Sequence, residues 1–139
     1  MKKIILFILF VFALTTATEA QTRKEKIQAM RQQVFIEELQ LSEQEVDRFF
    51  PVYEAYEAER EALQKKIRRA RRQIELVADE DIKAHINKLF DLEEAQIVLK
   101  RKYVDRFMEV LPTRKAIYIY RAEQAFKKRL LEKMRTGSE

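Results

Sequence analysis

Histidine and cysteine, the side chains that most transition-metal sites use, are scarce in this sequence of 139 residues. It contains no cysteine and a single histidine, His85, which follows Asp81 by four residues. Residues four apart share one face of a helix, so His85 and Asp81 could approach a metal ion together. A zinc site needs at least one further protein ligand, and the chain offers no second histidine and no thiolate. We therefore predict no metal site, with residual binding at His85 as the open alternative.

Catalytic groups and phosphate-binding loops are missing from the sequence pattern as well. The serines after residue 20 are Ser42, which precedes a helical segment, and Ser138 in the tail, so no Ser-His-Asp arrangement is expected. Carboxylate pairs such as Glu93-Glu94 are ordinary on a charged helix and need a pocket to become catalytic. The single glycine is Gly137, which excludes a glycine-rich nucleotide-binding loop. We predict that the protein is not an enzyme and has no cofactor.

A cluster of basic residues is the most conspicuous local feature. Six of the eight residues from Lys65 to Arg72 are lysine or arginine, and Glu59 and Glu61 lie about one turn upstream. Such a cluster can attract acidic polypeptides over a distance, or it can be a solvated helix face. Attraction to anionic lipid headgroups is a third interpretation, which the position of the cluster beside an apolar seam disfavours.

The first 20 residues have the layout of a secretory signal peptide. Lys2 and Lys3 precede eleven apolar residues, 4–14, which are followed by small and polar residues up to Ala20. The apolar run is shorter than the roughly 18–20 residues that span a bilayer, so we predict cleavage near Ala20 and no stable membrane insertion afterwards. A retained anchor is the alternative. Export also argues against a nucleic-acid partner, because it delivers the chain to a compartment without chromosomes or transcripts.

Apolar spacing predicts that the rest of the chain is all-α. Ser42 and Glu45 form a capping box at the start of a long helix that we expect to extend to about Leu76. Pro51 lies inside this helix and removes one backbone hydrogen bond, which predicts a bend rather than a break. Apolar residues recur there at intervals of three and four, as in a heptad seam. They are Val46, Phe49, Tyr53, Tyr56, Leu63, Ile67, Ala70 and Ile74.

A second long helix is predicted from an N-cap at Asp79 to Val110. It ends there because the residue before a proline, here Leu111, is disfavoured in a helix. A short connection between two long amphipathic helices predicts an antiparallel hairpin. The seam of the second helix is expected at Ile82, Ile86, Leu89, Val98, Leu99, Tyr103, Phe107 and Val110.

Two shorter helices complete the predicted set of four. One precedes the hairpin at residues 26–39, and the other follows it from Pro112 or Thr113 to Met134. We treat residues 21–139 as a single domain, because no linker rich in proline, glycine or serine divides them. A thin hairpin buries little apolar surface for its length, so a homodimer is expected.

The aromatic residues could lie in the core or form a binding surface. Six phenylalanines and five tyrosines follow Ala20. Adjacent Phe49 and Phe50 point about 100° apart on a helix, so one of them must pack outside a narrow seam. Residues 116–120 are apolar around most of the helix, which predicts either burial on several sides or an exposed patch.

Two helix openings resemble each other across the hairpin. They are Leu41-Ser42-Glu43-Gln44-Glu45 and Leu111-Pro112-Thr113-Arg114-Lys115. Both resemble the Leu-Thr-x-x-Gln signature of the Spy/CpxP/ZraP group of exported helical proteins. The first copy has Glu45 in place of the glutamine, and the second has Lys115 there with Pro112 and Thr113 transposed. Whether either copy keeps a function is left open.

The resemblance implies a location in the periplasm and an extended, cradle-like dimer of antiparallel helical hairpins. Members of this group bind unfolded proteins without ATP or restrain an envelope-stress sensor, and some are linked to zinc and other heavy metals. We therefore expect a chaperone-like protein for unfolded envelope proteins, or alternatively a regulatory partner of one membrane sensor. The candidate client-binding residues are Phe50, Tyr53, Tyr56 and Ile67 for apolar contact, and Lys65, Arg68, Arg69 and Arg72 for electrostatic steering.

Overall fold

The protein is all-α in a computed structural model that describes the backbone of residues 2–137 and the side chains of residues 21–137. The described residues contain no strand, which confirms the predicted fold class. The predicted signal peptide, residues 1–20, lies outside the residues whose side chains are described. The helices are α1 (Lys2–Leu39), α2 (Glu43–Ile74), α3 (Asp79–Val110), α4 (Thr113–Ala116) and α5 (Ile119–Thr136).

The end of α1 is made without a glycine. Gln40 follows the helix with a φ of 49°, in the left-handed region that glycine normally occupies at this position. The N–H of Leu41 donates to the carbonyl oxygen of Ile36 at 3.1 Å, which is the long bond of a Schellman motif. The helix therefore ends at Leu39, as predicted, although it begins at Lys2 and not at the expected residue 26.

The chain divides into two compact units, which we call the terminal unit (residues 1–41 and 118–139) and the central unit (residues 42–117). In the terminal unit α1 packs against α5. Its buried side chains are Val34, Phe35, Leu39, Leu41, Ile119 and Ala122.

Ion pairs and one cation–π contact join α1 to α5 in the terminal unit. Glu38 accepts a hydrogen bond from Arg121 and Glu37 accepts one from Arg129, each at 3.0 Å. The guanidinium of Arg31 lies 4.8 Å from the ring centre of Phe126. These contacts hold together a helix pair whose buried core is small.

In the central unit α2 begins at the capping box that the sequence predicts. The N–H of Glu45 donates to the hydroxyl oxygen of Ser42, and the N–H of Ser42 donates to the Glu45 carboxylate at 2.8 Å. The ammonium of Lys115 also donates to this carboxylate, at 2.7 Å. Together with the Ser42 backbone it holds the pKa of Glu45 below its ordinary value.

Helices α2 and α3 pack against each other in opposite directions in the central unit. The ion pair between Arg71 and Glu93 lies near one end of the pair, and that between Glu59 and Lys102 lies further along it. Partners that come earlier on α2 come later on α3, which defines the antiparallel arrangement. Helix α2 is continuous through Pro51.

The ends of α3 differ in how well the sequence anticipates them. The N-cap is Ala78, without a side-chain cap bond, so the expectation of Asp79 as N-cap is wrong by one residue. Asp79 instead belongs to an acidic first turn, where its charge suits the helix dipole. At the other end Leu111 is extended, with φ −126° and ψ 152°, as expected before Pro112.

The predicted last helix is present as two helices. Helix α4 ends at Ala116, and α5 begins at Ile119 after a turn at Ile117 and Tyr118. The N–H of Lys115 donates to the Pro112 carbonyl oxygen at 2.8 Å. This bond spans three residues, as in a 3-10 helix. Within the apolar run 116–120, Ile119 is buried, whereas Ile117, Tyr118 and Tyr120 are exposed.

Candidate functional site

The basic cluster lies on the exposed outer part of α2, within the central unit. Lys65 pairs with Glu61 at 3.1 Å, and Arg71 pairs with Glu93 at 2.8 Å. The remaining four basic side chains make no ion pair among the residues that the structure describes. They are Lys66, Arg68, Arg69 and Arg72, all exposed.

The apolar half of the predicted client-binding set is buried. Phe50 is 6%, Tyr53 2%, Tyr56 4% and Ile67 2% exposed, so these four side chains offer no surface to another polypeptide in this fold. Contrary to the expectation, they therefore do not line an open surface beside Lys65, Arg68, Arg69 and Arg72. The physical reason is that Tyr53, Tyr56 and Ile67 belong to the seam of the hairpin, which the seam of α3 can cover.

Aromatic side chains from α2 and α3 form one continuous cluster in the central unit. The ring of Phe107 lies 5.7 Å from Phe49, 6.2 Å from Tyr53 and 5.8 Å from Tyr56, between ring centres. Tyr103 lies 5.1 Å from Tyr56 and 5.9 Å from Phe107. These separations are typical of stabilising aromatic pairs, so the rings contribute to the core.

The Glu59 carboxylate is bonded to this aromatic cluster. The hydroxyl of Tyr103 donates to it at 2.7 Å, and the ammonium of Lys102 donates to it at 3.0 Å. These two bonds lower the pKa of Glu59. Burial, and then the bond to Glu59, raises the pKa of Tyr103.

An exposed apolar stripe on α3 is the surface that the sequence interpretation missed. Phe90, Ile97 and Val104 follow one another at intervals of seven residues, and Met108 comes one turn later. Their exposed fractions are 58%, 53%, 44% and 40%, in that order. Residues seven apart share a helix face, so these four form one row, which we call the α3 stripe.

Only the spacing could have revealed the α3 stripe. It runs in parallel with the seam formed by Leu99, Tyr103 and Phe107, which is buried against α2. Val98, which was expected in the seam, is 59% exposed instead. The seven-residue interval from Phe90 to Val104 was therefore the available signal.

The α3 stripe and part of the basic cluster project from the same side of the hairpin. Arg71 and Glu93 are paired across that side. Arg68 precedes Arg71 by three residues, so the two share a face of α2. Phe90 and Ile97 lie three residues before and four after Glu93, so they share its face of α3. Apolar and cationic side chains therefore meet on one surface of the central unit.

A shallow groove of about 450 Å3 lies on α3 between two residues of the stripe. Ile97 and Val104 supply its apolar lining, and Lys100, Arg101 and Asp105 supply charge. The lining thus combines apolar side chains with more basic than acidic ones. Such a surface can contact an apolar segment that carries acidic residues.

His85 is placed apart from any set of metal ligands. Its Nδ1 lies 3.1 Å from the backbone carbonyl oxygen of Asp81, one turn earlier on α3, rather than from the Asp81 carboxylate. No group of three or more metal-ligating side chains occurs within the described part of the chain. The hydroxyl oxygen of Ser42, the serine considered above as a possible nucleophile, accepts the capping bond from the Glu45 N–H.

Comparisons of the chain with protein-family models, curated proteins and solved structures find no match. None of the helices, as far as their residues are described, contains an apolar stretch long enough to cross a membrane.

Proposed function

We propose that this protein is an ATP-independent, chaperone-like protein of the periplasm that binds apolar segments of unfolded envelope proteins. The observation that carries the proposal is the α3 stripe, an exposed apolar row with Arg68, which makes no ion pair among the described residues, on the same side of the hairpin. The resemblance of the two helix openings to the Spy/CpxP/ZraP group supports the same function. The contact residues proposed now are Phe90, Ile97, Val104 and Met108, in place of the buried aromatics.

The proposed mechanism divides the work between charge and apolar contact. Arg68, Arg69 and Arg72, with Lys65 beside them, attract acidic stretches of a client over roughly one Debye length, about 8–10 Å at physiological salt. The α3 stripe then covers apolar client side chains through many weak contacts. Release follows when the client buries those side chains in its own core, so no nucleotide is required.

Suppression of aggregation tests this proposal. The purified protein is mixed with a chemically unfolded, aggregation-prone protein, and light scattering is followed. We expect the wild type to suppress scattering and the variant I97E/V104E to lose most of that effect. The matched control is V98E, because Val98 is as exposed as Ile97 but points about 100° away around the helix. No suppression by the wild type at several-fold molar excess, or equal loss in V98E, would contradict the proposal.

A regulatory partner of one membrane sensor is the second candidate function. The seven-residue spacing of the α3 stripe favours it, because that interval suits a single helical partner in a coiled coil. A pull-down from an envelope extract distinguishes the two. One dominant membrane protein that is lost with I97E/V104E supports the sensor, whereas many unfolded proteins support the chaperone.

We also propose that the protein is a homodimer, because its helix pairs leave apolar residues exposed on both units. Light scattering coupled to gel filtration gives the mass directly. If I97E/V104E converts a dimer to a monomer and V98E does not, the α3 stripe is the dimer interface. In that case another surface would have to bind clients.

A further inference from the structure

The terminal unit contains a cleft of about 380 Å3 between α1 and α5. Ile27 and Met30 of α1 and Leu130 and Met134 of α5 supply its apolar lining. Ile27, Met30 and Leu130 are half-buried, and Met134 is 52% exposed, so the apolar surface is accessible to a ligand. The volume lies in the range of about 300–1,000 Å3 in which proteins bind small molecules.

The charged side chains that line this cleft are all basic. Arg23, Lys26 and Lys133 line it, and its described lining contains no acidic side chain. None of these three side chains makes an ion pair among the described residues. In the same unit Arg121 and Arg129 are paired with carboxylates, whereas the charges of the three cleft cations are not neutralised by a partner among the described residues.

We propose that the cleft binds an anionic single-chain amphiphile of the fatty-acid type. The acyl chain would lie against Ile27, Met30, Leu130 and Met134, and the carboxylate would be held by Arg23, Lys26 and Lys133. Apolar burial supplies affinity in this arrangement, and the cations select for negative charge.

The shape and the charge of the cleft disfavour two other occupants. A second copy of this chain in a symmetric contact would bring the same three cations towards one another, which opposes the contact. A bilayer surface is too flat to enter a concave space lined from two helices. The proposed ligand is therefore a free molecule rather than a lipid in a membrane.

Calorimetric titration with octanoate, decanoate and dodecanoate below their micelle concentrations tests the acyl-chain part of this proposal. We expect affinity to rise about threefold to fourfold per methylene group, because each added group is buried. An uncharged amphiphile of equal chain length should bind at least about tenfold more weakly than dodecanoate, because it has no carboxylate to accept charge-assisted hydrogen bonds from the cations. Affinity that does not depend on chain length would overturn the proposal.

Charge reversal tests the proposed carboxylate contact. We expect R23E/K133E to weaken dodecanoate binding at least about tenfold and to leave the weaker binding of the uncharged amphiphile unchanged. The control K24E/K128E makes the same change in net charge on the same two helices outside the cleft lining. Helical circular dichroism verifies that both variants fold.

Three results would refute the site. Equal weakening in the control would show that net charge alone matters. Binding only to vesicles that contain anionic lipid would show that a membrane surface is the partner. A dimer that dissociates when M134E is introduced, together with no dodecanoate binding by the wild type, would show that a second copy covers the cleft.

Discussion

Gln40 carries a backbone conformation that few residue types tolerate. Its φ of 49° is left-handed, and the side-chain Cβ crowds the backbone there at a cost of about 1–2 kcal/mol. The Schellman bond from Leu41 to Ile36 compensates by satisfying a carbonyl group at the end of α1. A chain with a single glycine therefore ends α1 at an energetic cost.

Replacing Gln40 by glycine should remove that cost. We expect Q40G to raise the free energy of unfolding by about 1 kcal/mol, measured by urea denaturation. The control is Q33G, in the interior of the same helix, which should lower the free energy of unfolding by about 1 kcal/mol. A loss of stability in Q40G comparable to that in Q33G would show that Gln40 is not strained.

At the scale of elements, the aromatic cluster explains why α2 and α3 pair along their length. Two faces of α3 are apolar, but only the face with Tyr103 and Phe107 is buried. Its rings lie within about 6 Å of those of α2, as contacting aromatic pairs do. The α3 stripe has no such partner among the described residues of the central unit.

The two phenylalanines of α3 allow this distinction to be measured. We expect F107A to lower the free energy of unfolding by about 3–5 kcal/mol, because Phe107 is 4% exposed and contacts three rings of α2. F90A should change it by no more than about 0.5 kcal/mol, because Phe90 is 58% exposed. Urea denaturation of both variants gives the comparison, and similar losses would mean that the α3 stripe is covered in solution.

The sequence was sufficient for those elements that local chemistry determines. The Ser42 capping box and the end of α3 before Pro112 depend on neighbouring residues, so they could be predicted. The candidate site depends on which of two apolar rows on α3 meets α2. The sequence correctly placed Tyr103 and Phe107 in the seam, but only the packed helices show that the second row, which contains Ile97, is left exposed.

The site prediction on α2 was wrong because it included residues of the seam. Tyr53 and Tyr56 were considered for client contact because they are apolar and lie upstream of the basic cluster. Residues at seam positions are the first to be buried when a second amphipathic helix follows. The basic residues are exposed, so they remain candidates for attracting a client. The apolar contact that was predicted for α2 is now proposed for the α3 stripe.

For the molecule as a whole, ionisable groups couple stability to pH in both units. Glu37 is bonded to Arg129 in the terminal unit, and Glu45 and Glu59 are bonded to Lys115, Tyr103 and Lys102 in the central unit. These bonds hold the pKa of each carboxyl below its ordinary value of 4.5. The stabilisation is therefore complete well above pH 4.5 and is lost as the pH falls through the lowered values.

Tyr103 gives the opposite dependence at alkaline pH. Its pKa is raised above 10.0 because burial and the Glu59 carboxylate both oppose the phenolate. The folded state thus favours the neutral phenol, and its contribution to stability is complete well below pH 10 and is lost as the pH rises. The three carboxyl groups and Tyr103 together predict that the free energy of unfolding is highest between the acid and the alkaline range and falls on either side.

The fall on the acid side can be assigned by substitution. We expect E37Q/E45Q/E59Q to be less stable than the wild type at pH 7 and to lose stability less steeply between pH 5 and pH 3, as followed by urea midpoints, because the groups that take up protons on unfolding are gone. The control E75Q/E94Q/E132Q removes three exposed carboxylates that make no ion pair among the described residues, and it should keep the wild-type slope. If the two triple variants have the same slope, the ion pairs at Glu37, Glu45 and Glu59 do not stabilise the fold, and the acid sensitivity of the protein has to come from its overall charge.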